Sequence, residues 1–545
     1  MDREERSYRR LLIVIGLVFY ASLFLFVQLI RIQIVEQHRF TELAIGQRAR
    51  PLLTNQLRGG FYDRNGYSLR GPETAWYLLI KRPLSPSVAR RVAAIVGADF
   101  LAENERQRRA GHWVYSQPLR PAPLRQLRQL KLDSLQVVAN SANPATSRLA
   151  WHLLGSVRDG HGVSGLEYLY DSFLRRSQGA SSLVAFSDGL RQSFQGLGIR
   201  NRQNIDGSGV ILTLDRRIQT IVESTLDQER FKGAVVILDV DSGQILAMAS
   251  RPMINIVAPQ ASLEDPDKPF LNRAIAAYNP GSVFKLVVLS SGLDRGLLKP
   301  DESFTNYHSY RIDDRQWLYP STYGADHGRI SLTDALAGSC NPVFIEIALR
   351  LQPGVILDCA DKLGLGQPCN IGLKDEAWGN LPSGVGMSPV EQANMALGQQ
   401  DVLMTPLQVA AVVQTIANDG VRNMPRLVLG TRERDNSEIK WLEPEPPVRV
   451  LKPETARIVQ RMMKVVVDSG TGQEAAIAAG AAGKTGTAQT GAAGSAVDNA
   501  WFAGFAPYRK PRFAVAVFCE QGGAGGKTAA PIFREIMEKV TKIRD

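Results

Sequence analysis

The chain has 545 residues, of which 44% are hydrophobic and 21% charged, so it is neither a disordered chain nor a polytopic membrane protein. Its 64 Lys and Arg residues outnumber 53 Asp and Glu residues, and a formal net charge of +11 favours a polyanionic partner, either nucleic acid or an anionic membrane surface. The four cysteines and six histidines form no CxxC pair or Cys/His cluster, which argues against a metal site; a single Cys359–Cys369 bridge stays open.

The first predicted element is a membrane anchor at residues 11–30, which read LLIVIGLVFYASLFLFVQLI and contain no charge. Twenty helical residues span about 30 Å, the thickness of a bilayer core. A cleaved signal peptide is the alternative, but no small-x-small cleavage site follows Ile30. Four arginines precede the segment and two lie within ten residues after it, which favours a cytoplasmic tail at residues 1–10 and an extracytoplasmic bulk.

A modest α+β region is predicted next. Residues 31 to about 60 read as a helical stalk, and three glycines within 58–66 interrupt that pattern. The Arg-rich stretch 100–135 has few aromatic residues to stack on bases, so it favours an amphipathic helix with a solvated face over a nucleic-acid patch. We therefore assign residues 31–204 to a stalk and pedestal domain.

Residues 205–545 are predicted to form one larger α+β domain. Two β-rich runs flank Asp241-Ser242-Gly243, which is a hairpin signal. Helix patterns occupy about 282–297, 331–350 and 389–418, a buried strand is expected at Phe513–Cys519, and a final helix at about 530–542. This order predicts a sheet built from both ends of the domain.

Two Gly-Lys-Thr matches, at residues 483–485 and 526–528, resemble phosphate-binding loops. Each lacks the required glycine five positions earlier, where Ala478 and Gln521 stand. Gly470-Thr471-Gly472 lacks the third glycine of a dinucleotide fingerprint. The sequence therefore predicts neither a nucleotide site nor any other cofactor.

Three short motifs suggest catalysis: Ser282-Val283-Phe284-Lys285, Ser339-Cys340-Asn341 and Lys484-Thr485-Gly486-Thr487. Each of the first two motifs occurs often by chance, since Ser437–Lys440 and Ser141–Asn143 in the same chain match the same spacings. Ser437, however, lies in a charged stretch and follows the SxN motif, whereas Ser282 follows Pro280-Gly281 and opens an apolar helix. The ordered set behind one anchor favours a catalytic site.

The spacing has a chemical reason. Residues i and i+3 of a helix are neighbours, so Lys285 can reach the Ser282 oxygen and act as its base if burial and the nearby Lys484 lower its pKa. Ser339 can relay a proton to a leaving amine, and the Asn341 amide can hold a peptide bond. Lys484 and the Thr hydroxyls suit a carboxylate, and Gly486 allows a substrate strand to approach.

The chain resembles class B penicillin-binding proteins, the monofunctional peptidoglycan D,D-transpeptidases, for which the three motifs are the known signature. Further similarity lies in RGGFYDRNG (58–66), GVSGLEYLYD (162–171), ALGQQDVLMTPLQVA (396–410) and AWFAGFAP (500–507). The resemblance implies a single-pass bacterial plasma-membrane protein with a serine β-lactamase-like transpeptidase domain.

The resemblance also implies the roles of the residues. Ser282, Lys285, Ser339 and Lys484 would be catalytic; Asn341, Thr485, Gly486 and Thr487 would bind substrate; and backbone N–H groups of Ser282 and Thr487 would form the oxyanion hole. Implied partners are stem peptides, lipid-linked nascent glycan, β-lactams and a SEDS-type glycan polymerase, with no nucleic acid. Alternatives are a D,D-carboxypeptidase or β-lactamase, a non-catalytic divisome scaffold, and a β-lactam sensor.

Overall fold

The computed structural model describes residues 2–37, 40, 49–70, 73–81, 84–107, 113–119, 121–130, 132–142, 149–158, 160–176, 179–186, 199–204, 209–229, 231–255, 259–305, 309–312, 317–320, 328–433, 438–489 and 498–543. Within these ranges the chain divides into two compact units. The first comprises residues 1–57, 72–143 and 179–205, and the second comprises residues 58–71, 144–178 and 206–545. The units therefore alternate along the sequence, and the functional domain boundary near residue 204 stays a prediction.

The N-terminal helix spans Asp2–Ile30 and continues as a π-helical turn at Arg31–Val35. No residue of Ser7–Val35 is buried, and this segment is the one helix in the described ranges that is long and apolar enough to cross a membrane. Such a helix is consistent with the predicted anchor, because a soluble protein would bury this surface.

In the described residues, the rest of the first unit contains two three-stranded sheets and three helices. One sheet joins Ala49–Leu57, Gly179–Phe186 and Ile199–Asn204, and the other joins Trp113–Val114, Glu73–Ile80 and Leu135–Ala142. The helices are Pro86–Val96, Asp99–Arg106 and Pro121–Gln129. The predicted helical stalk up to about residue 60 is wrong at Ala49–Leu57, because backbone pairing with Gly179–Phe186 decides that segment.

A five-stranded antiparallel sheet forms the centre of the second unit. Its strand order is Ile245–Arg251, Gly233–Asp239, Phe513–Cys519, Asn499–Ala506 and Ala482–Ala488. The hairpin turns at Gly243, whose φ of +69° suits glycine, and Phe513–Cys519 is the buried strand expected. The prediction of a sheet built from both ends of the domain is confirmed.

Alternate side chains of this sheet enter two cores, as the two-residue period of a strand requires. Val235 and Val517 face a core shared with helices Arg216–Gln228 and Ala529–Val540. Val236 and Ala516 face the larger core, which includes helix Pro406–Ala417. The sheet thus lies between two helical layers.

The second unit contains further short elements. Its other helices are Trp151–Leu154, Gly165–Leu169, Asp171–Arg176, Lys285–Asp294, Leu332–Ala337, Asn341–Leu351, Pro353–Lys362, Pro389–Ala396 and Pro453–Asp468. A second five-stranded sheet has the order Ile439–Trp441, Val428–Arg432, Gly209–Leu212, Gly60–Tyr62 and Ser68–Arg70. The remaining strands are Val157–Arg158, His161–Gly162, Ser303–Thr305, Ser309–Ile312, Trp317–Pro320, Arg329–Ser331, Val421–Arg422 and Val448–Arg449.

Two of the predicted long helices are each broken in two. The segment expected at 389–418 stops at Ala396, and a second helix begins at Pro406 after a capping box in which Thr405 and Gln408 bond each other's backbone N–H groups. The segment expected at 331–350 breaks at residues 338–340, where Ser339 has a φ of +57°. The apolar periodicity of both segments hid these breaks, and the second break carries the SxN motif.

Candidate active site

Ser282 lies in a 3₁₀ turn, Gly281–Phe284, which leads directly into helix Lys285–Asp294. The residue is half-buried, and its hydroxyl has no hydrogen-bond partner in the part of the chain that the structure describes. A serine hydroxyl that makes no hydrogen bond within the described chain can act as a nucleophile toward a bound carbonyl group. The positive end of the helix dipole favours the negative charge that develops there.

Gly281 fixes the turn against the edge of the central sheet. Its φ is +55°, and a Cβ at this position would lie 2.5 Å from the Thr487 carbonyl oxygen. On the other side of the turn, the Asn279 side-chain amide donates to the carbonyl oxygens of Gln400 and Val402, each at 2.8 Å. The turn is therefore held between strand Ala482–Ala488 and the segment that follows helix Pro389–Ala396.

Lys285 is fully buried, and its amine points toward the SxN motif. Its Nζ donates to the Ser339 carbonyl at 2.8 Å, the Ser339 hydroxyl at 3.3 Å and the Asn341 side-chain oxygen at 2.7 Å. Burial lowers the pKa of Lys285 to about 7, so a large fraction of the amine is neutral near neutral pH. A neutral amine in this position can accept a proton.

The structure differs from the sequence-based expectation in two respects. The amine of Lys285 bonds Ser339 and Asn341 and makes no hydrogen bond to Ser282, although catalytic bonds of this kind often tighten only when substrate is bound. The low pKa of Lys285 is due to burial, and the positive charge of Lys285 in turn helps to lower the pKa of Lys484.

The break between helices Leu332–Ala337 and Asn341–Leu351 presents the SxN residues. The Cys340 backbone N–H donates to the Ala335 carbonyl at 2.8 Å, which closes the turn and leaves the Cys340 side chain in the core. Ser339, on the other face of the turn, and Asn341, at the first position of the next helix, both reach Lys285. The SxN motif, whose Ser339 and Asn341 follow Lys285 by 54 and 56 residues, is thereby joined to the first motif.

The third motif lies on strand Ala482–Ala488, at one edge of the central sheet. Lys484 is fully buried, and its Nζ donates to the Thr485 carbonyl at 2.9 Å. Burial first, and the charge of Lys285 second, hold the pKa of Lys484 well below its ordinary value. Thr487 is the one exposed residue of this strand. An edge strand with one exposed hydroxyl can accept an extended peptide.

Thr471 borders the candidate site, although the sequence did not predict this. Thr471, in the Gly-Thr-Gly step dismissed as a weak dinucleotide signal, lies with its hydroxyl oxygen 2.6 Å from that of Thr485. The Gly525 backbone N–H lies 3.4 Å from the Thr487 hydroxyl oxygen, so the second Gly-Lys-Thr match also borders the site. Both segments are Gly-rich, and only their pairing with this strand, 14 and 38 residues away, reveals them.

The first Gly-Lys-Thr match and the four cysteines do not lie in the settings that a phosphate-binding loop or a disulfide requires. The Gly-Lys-Thr at residues 483–485 lies inside a strand, whereas a phosphate-binding loop requires the start of a helix. Among the described residues, no group of three or more His, Cys, Asp or Glu side chains could hold a metal ion. All four cysteines lie in the described ranges and are buried free thiols, so the Cys359–Cys369 bridge is not formed.

Comparison with known proteins gives a consistent result. The profile of the penicillin binding protein transpeptidase domain matches residues 233–538. The penicillin-binding protein PbpB of Mycolicibacterium smegmatis is 34% identical over 71% of this chain and 62% of its own length. Peptidoglycan D,D-transpeptidase FtsI of Escherichia coli is 28% identical over 79% of this chain and 72% of its own length. Stage V sporulation protein D of Bacillus subtilis is 28% identical over 97% of this chain and 85% of its own length.

Solved structures extend the similarity to the fold. Penicillin binding protein 3 from Mycobacterium tuberculosis, complexed with aztreonam, superposes with a TM-score of 0.64 and 26% identity, covering 91% of this chain and 98% of that chain. PBPA from the same organism has a TM-score of 0.65 at 23% identity, covering 89% of this chain and 100% of that one, which shows the fold alone. The present chain spans 62% and 60% of the lengths of the mycobacterial PbpB proteins.

Proposed function

Because the chain belongs to the class B penicillin-binding proteins of the transpeptidase family, we propose that it is a serine-type D,D-transpeptidase that cross-links peptidoglycan stem peptides. The observation that carries this proposal is the buried Lys285 amine, which bonds Ser339 and Asn341 beside a Ser282 hydroxyl with no hydrogen-bond partner in the described chain. The activity in the printed name of the E. coli relative is the one this arrangement can perform.

Acylation begins when neutral Lys285 takes the proton of Ser282 as the serine oxygen attacks the penultimate D-Ala carbonyl. The Ser282 Oγ–carbon bond forms, and the negative charge that develops on the carbonyl oxygen is stabilised by the backbone N–H groups of Ser282 and Thr487. Ser339 passes a proton to the leaving nitrogen, the peptide C–N bond breaks, and D-Ala departs.

Deacylation reverses these roles. An acceptor amine attacks the ester carbonyl, the new C–N bond forms, the ester C–O bond breaks, and the proton returns to Ser282 through Lys285. Exclusion of water from this step would separate a transpeptidase from a carboxypeptidase or β-lactamase, which transfers the acyl group to water instead. A β-lactam would acylate the same serine, as the aztreonam complex of the mycobacterial relative suggests.

Substrate would lie along the edge strand Ala482–Ala488. Its peptide backbone would add to the outer edge of this strand, where exposed Thr487 would contact it. Lys484 and Thr485 would orient the carboxylate, and Asn341 would hold a peptide amide. Thr471 positions Thr485 through the 2.6 Å contact between their hydroxyl oxygens.

The membrane arrangement is part of the same proposal. Residues 1–10 would lie in the cytoplasm, 11–30 in the plasma membrane, 31–204 would form the stalk and pedestal, and 205–545 the transpeptidase domain outside the cytoplasm. The long exposed apolar helix and the membrane setting of peptidoglycan synthesis support it. A SEDS-type polymerase in the membrane would supply the nascent glycan, whose stem peptides this enzyme joins.

The test is covalent labelling of the full-length protein with a fluorescent penicillin, followed by a cross-linking assay on lipid-linked glycan strands. Ser282→Ala should abolish both labelling and cross-linking, and Lys285→Ala should slow labelling at least about a hundredfold. Ser437→Ala, at the second Ser-x-x-Lys match, is the matched control and should label normally. Undiminished labelling of Ser282→Ala would exclude Ser282 as the nucleophile, and rapid release of the label would favour a β-lactamase.

A further inference from the structure

A cavity of about 310 Å³ lies in the second unit between helix Pro353–Lys362, helix Pro406–Ala417 and the short strand Val421–Arg422. Its volume is at the lower end of the range for small-molecule pockets. None of its lining residues belongs to the proposed active site. Apolar side chains, among them Leu363, Ala411 and Met424, form much of its wall.

Arg422 provides the positive charge in this cavity, and no group in the described chain pairs with it. Its Nε is buried and has no hydrogen-bond acceptor, and no ion pair to it occurs among the described residues. Other arginines of this unit differ: Arg251 pairs with Glu223, Arg273 pairs with Glu520, and Arg426 donates to three backbone carbonyls. A guanidinium has five donors, so an unpaired one in a partly buried site favours an anionic ligand.

The backbone around Arg422 leaves room for its guanidinium. A Cβ at Gly364 would lie 2.6 Å from Arg422 Nη1, so only glycine at this position permits the observed placement. Gly364 also has a φ of +85°, which side chains other than glycine rarely adopt. The loop and the arginine are thus fitted to each other.

The other polar side chains that line the cavity either are hydrogen-bonded to protein groups or are exposed to solvent. The Gln408 amide nitrogen donates to the carbonyls of Gln367 and Trp378, and its oxygen accepts from the Thr405 N–H. Asp361 is exposed at the rim and makes no ion pair with Arg422. Among the described residues that line the cavity, Arg422 is therefore the one cationic donor, and a ligand can use it without breaking a protein hydrogen bond.

We propose that this cavity binds a small monoanionic carboxylate with a compact apolar body, held by the Arg422 guanidinium. The planar guanidinium matches a carboxylate in a two-bond arrangement. A single cation beside the Asp361 carboxylate favours one negative charge over the two of a phosphate. The carboxylate can be the C-terminus of a short peptide or a free small acid, since both present the same group.

The experiment is a ligand-observed NMR titration of the full-length protein in detergent with three probes: acetyl-D-alanyl-D-alanine, propionate and inorganic phosphate. Prior acylation with penicillin keeps Ser282 occupied, and Ser282→Ala serves the same purpose if acylation fails, so the outcome does not depend on the proposed activity. Arg422→Gln should weaken carboxylate binding at least about tenfold, because hydrogen bonds to a charged group are worth about 1.5–3 kcal/mol. Exposed Arg509→Gln is the matched control and should bind like the parent.

Binding of the peptide alone would identify a peptide C-terminus as the ligand, and binding of both carboxylates would identify the free acid group; both outcomes support the site. Arg422→Lys keeps the positive charge but cannot form the two parallel hydrogen bonds of a guanidinium, so this variant should bind the carboxylate with intermediate affinity. It also provides a second test of the site if the Gln variant does not fold. Binding that is unchanged in both Arg422 variants, binding of phosphate alone, or no carboxylate binding would overturn the proposal.

Discussion

The buried Lys285 amine makes the pH dependence of acylation predictable. Lowering the pKa of this lysine from 10.5 to about 7 corresponds to about 5 kcal/mol of destabilisation of its charged form. The neutral fraction of an amine with that pKa is about 9% at pH 6, about 50% at pH 7 and about 91% at pH 8. If neutral Lys285 is the base, the second-order acylation rate constant should rise about tenfold between pH 6 and pH 8 and then level off.

The assay is stopped-flow or quenched labelling with a penicillin that has no titrating group between pH 5.5 and 9.5. The spontaneous hydrolysis of the antibiotic is measured in parallel, and circular dichroism checks that the protein stays folded over the range. Ser282→Ala provides the background. A rate that continues to rise tenfold per pH unit above pH 8 would show a lysine with an ordinary pKa, and a flat profile would show that Lys285 is not the base.

Two further predictions concern residues around the edge strand. Thr471→Ala should lower the acylation rate several-fold by freeing the Thr485 hydroxyl, whereas Thr471→Ser should restore it; equal rates in both variants would contradict a positioning role. Gly281→Ala should impair acylation strongly and lower the free energy of unfolding by more than about 1 kcal/mol, because its Cβ would lie 2.5 Å from the Thr487 carbonyl. Gly386→Ala is the control: its φ of +70° is similar but nothing lies within 4 Å, so acylation should stay near the parent rate and any smaller loss of stability would measure the backbone strain alone.

The sequence predicted the central sheet well because its signals are local. The turn at Asp241-Ser242-Gly243 and the apolar run Phe513–Cys519 each specify a strand without reference to the rest of the chain. The three motifs were identified because their order and residue types are specific as a set, and their catalytic role stays a prediction. Their assembly around Lys285 was expected from chemistry, and the structure supplies the contacts to Ser339 and Asn341.

What the sequence did not predict depends on long-range or conformational information. The helix break at Ser339 has a left-handed backbone that apolar periodicity does not reveal. Thr471 joins the site only through its hydroxyl contact with Thr485. Strand Ala49–Leu57 follows from pairing with a segment more than a hundred residues later. The lowered pKa of Lys484 depends on burial, which the motif alone does not reveal.

The alternation of the two units along the chain has a consequence for how the protein folds during synthesis. Strand Gly60–Tyr62 pairs in parallel with Gly209–Ile211, about 150 residues later. At roughly 5–20 residues per second, the partner strand is synthesised roughly seven to thirty seconds after the earlier strand. Segment 58–71 therefore has only its own hairpin, Gly60–Tyr62 with Ser68–Arg70, while much of the first unit is completed, and the outer edge of that hairpin is exposed during this interval.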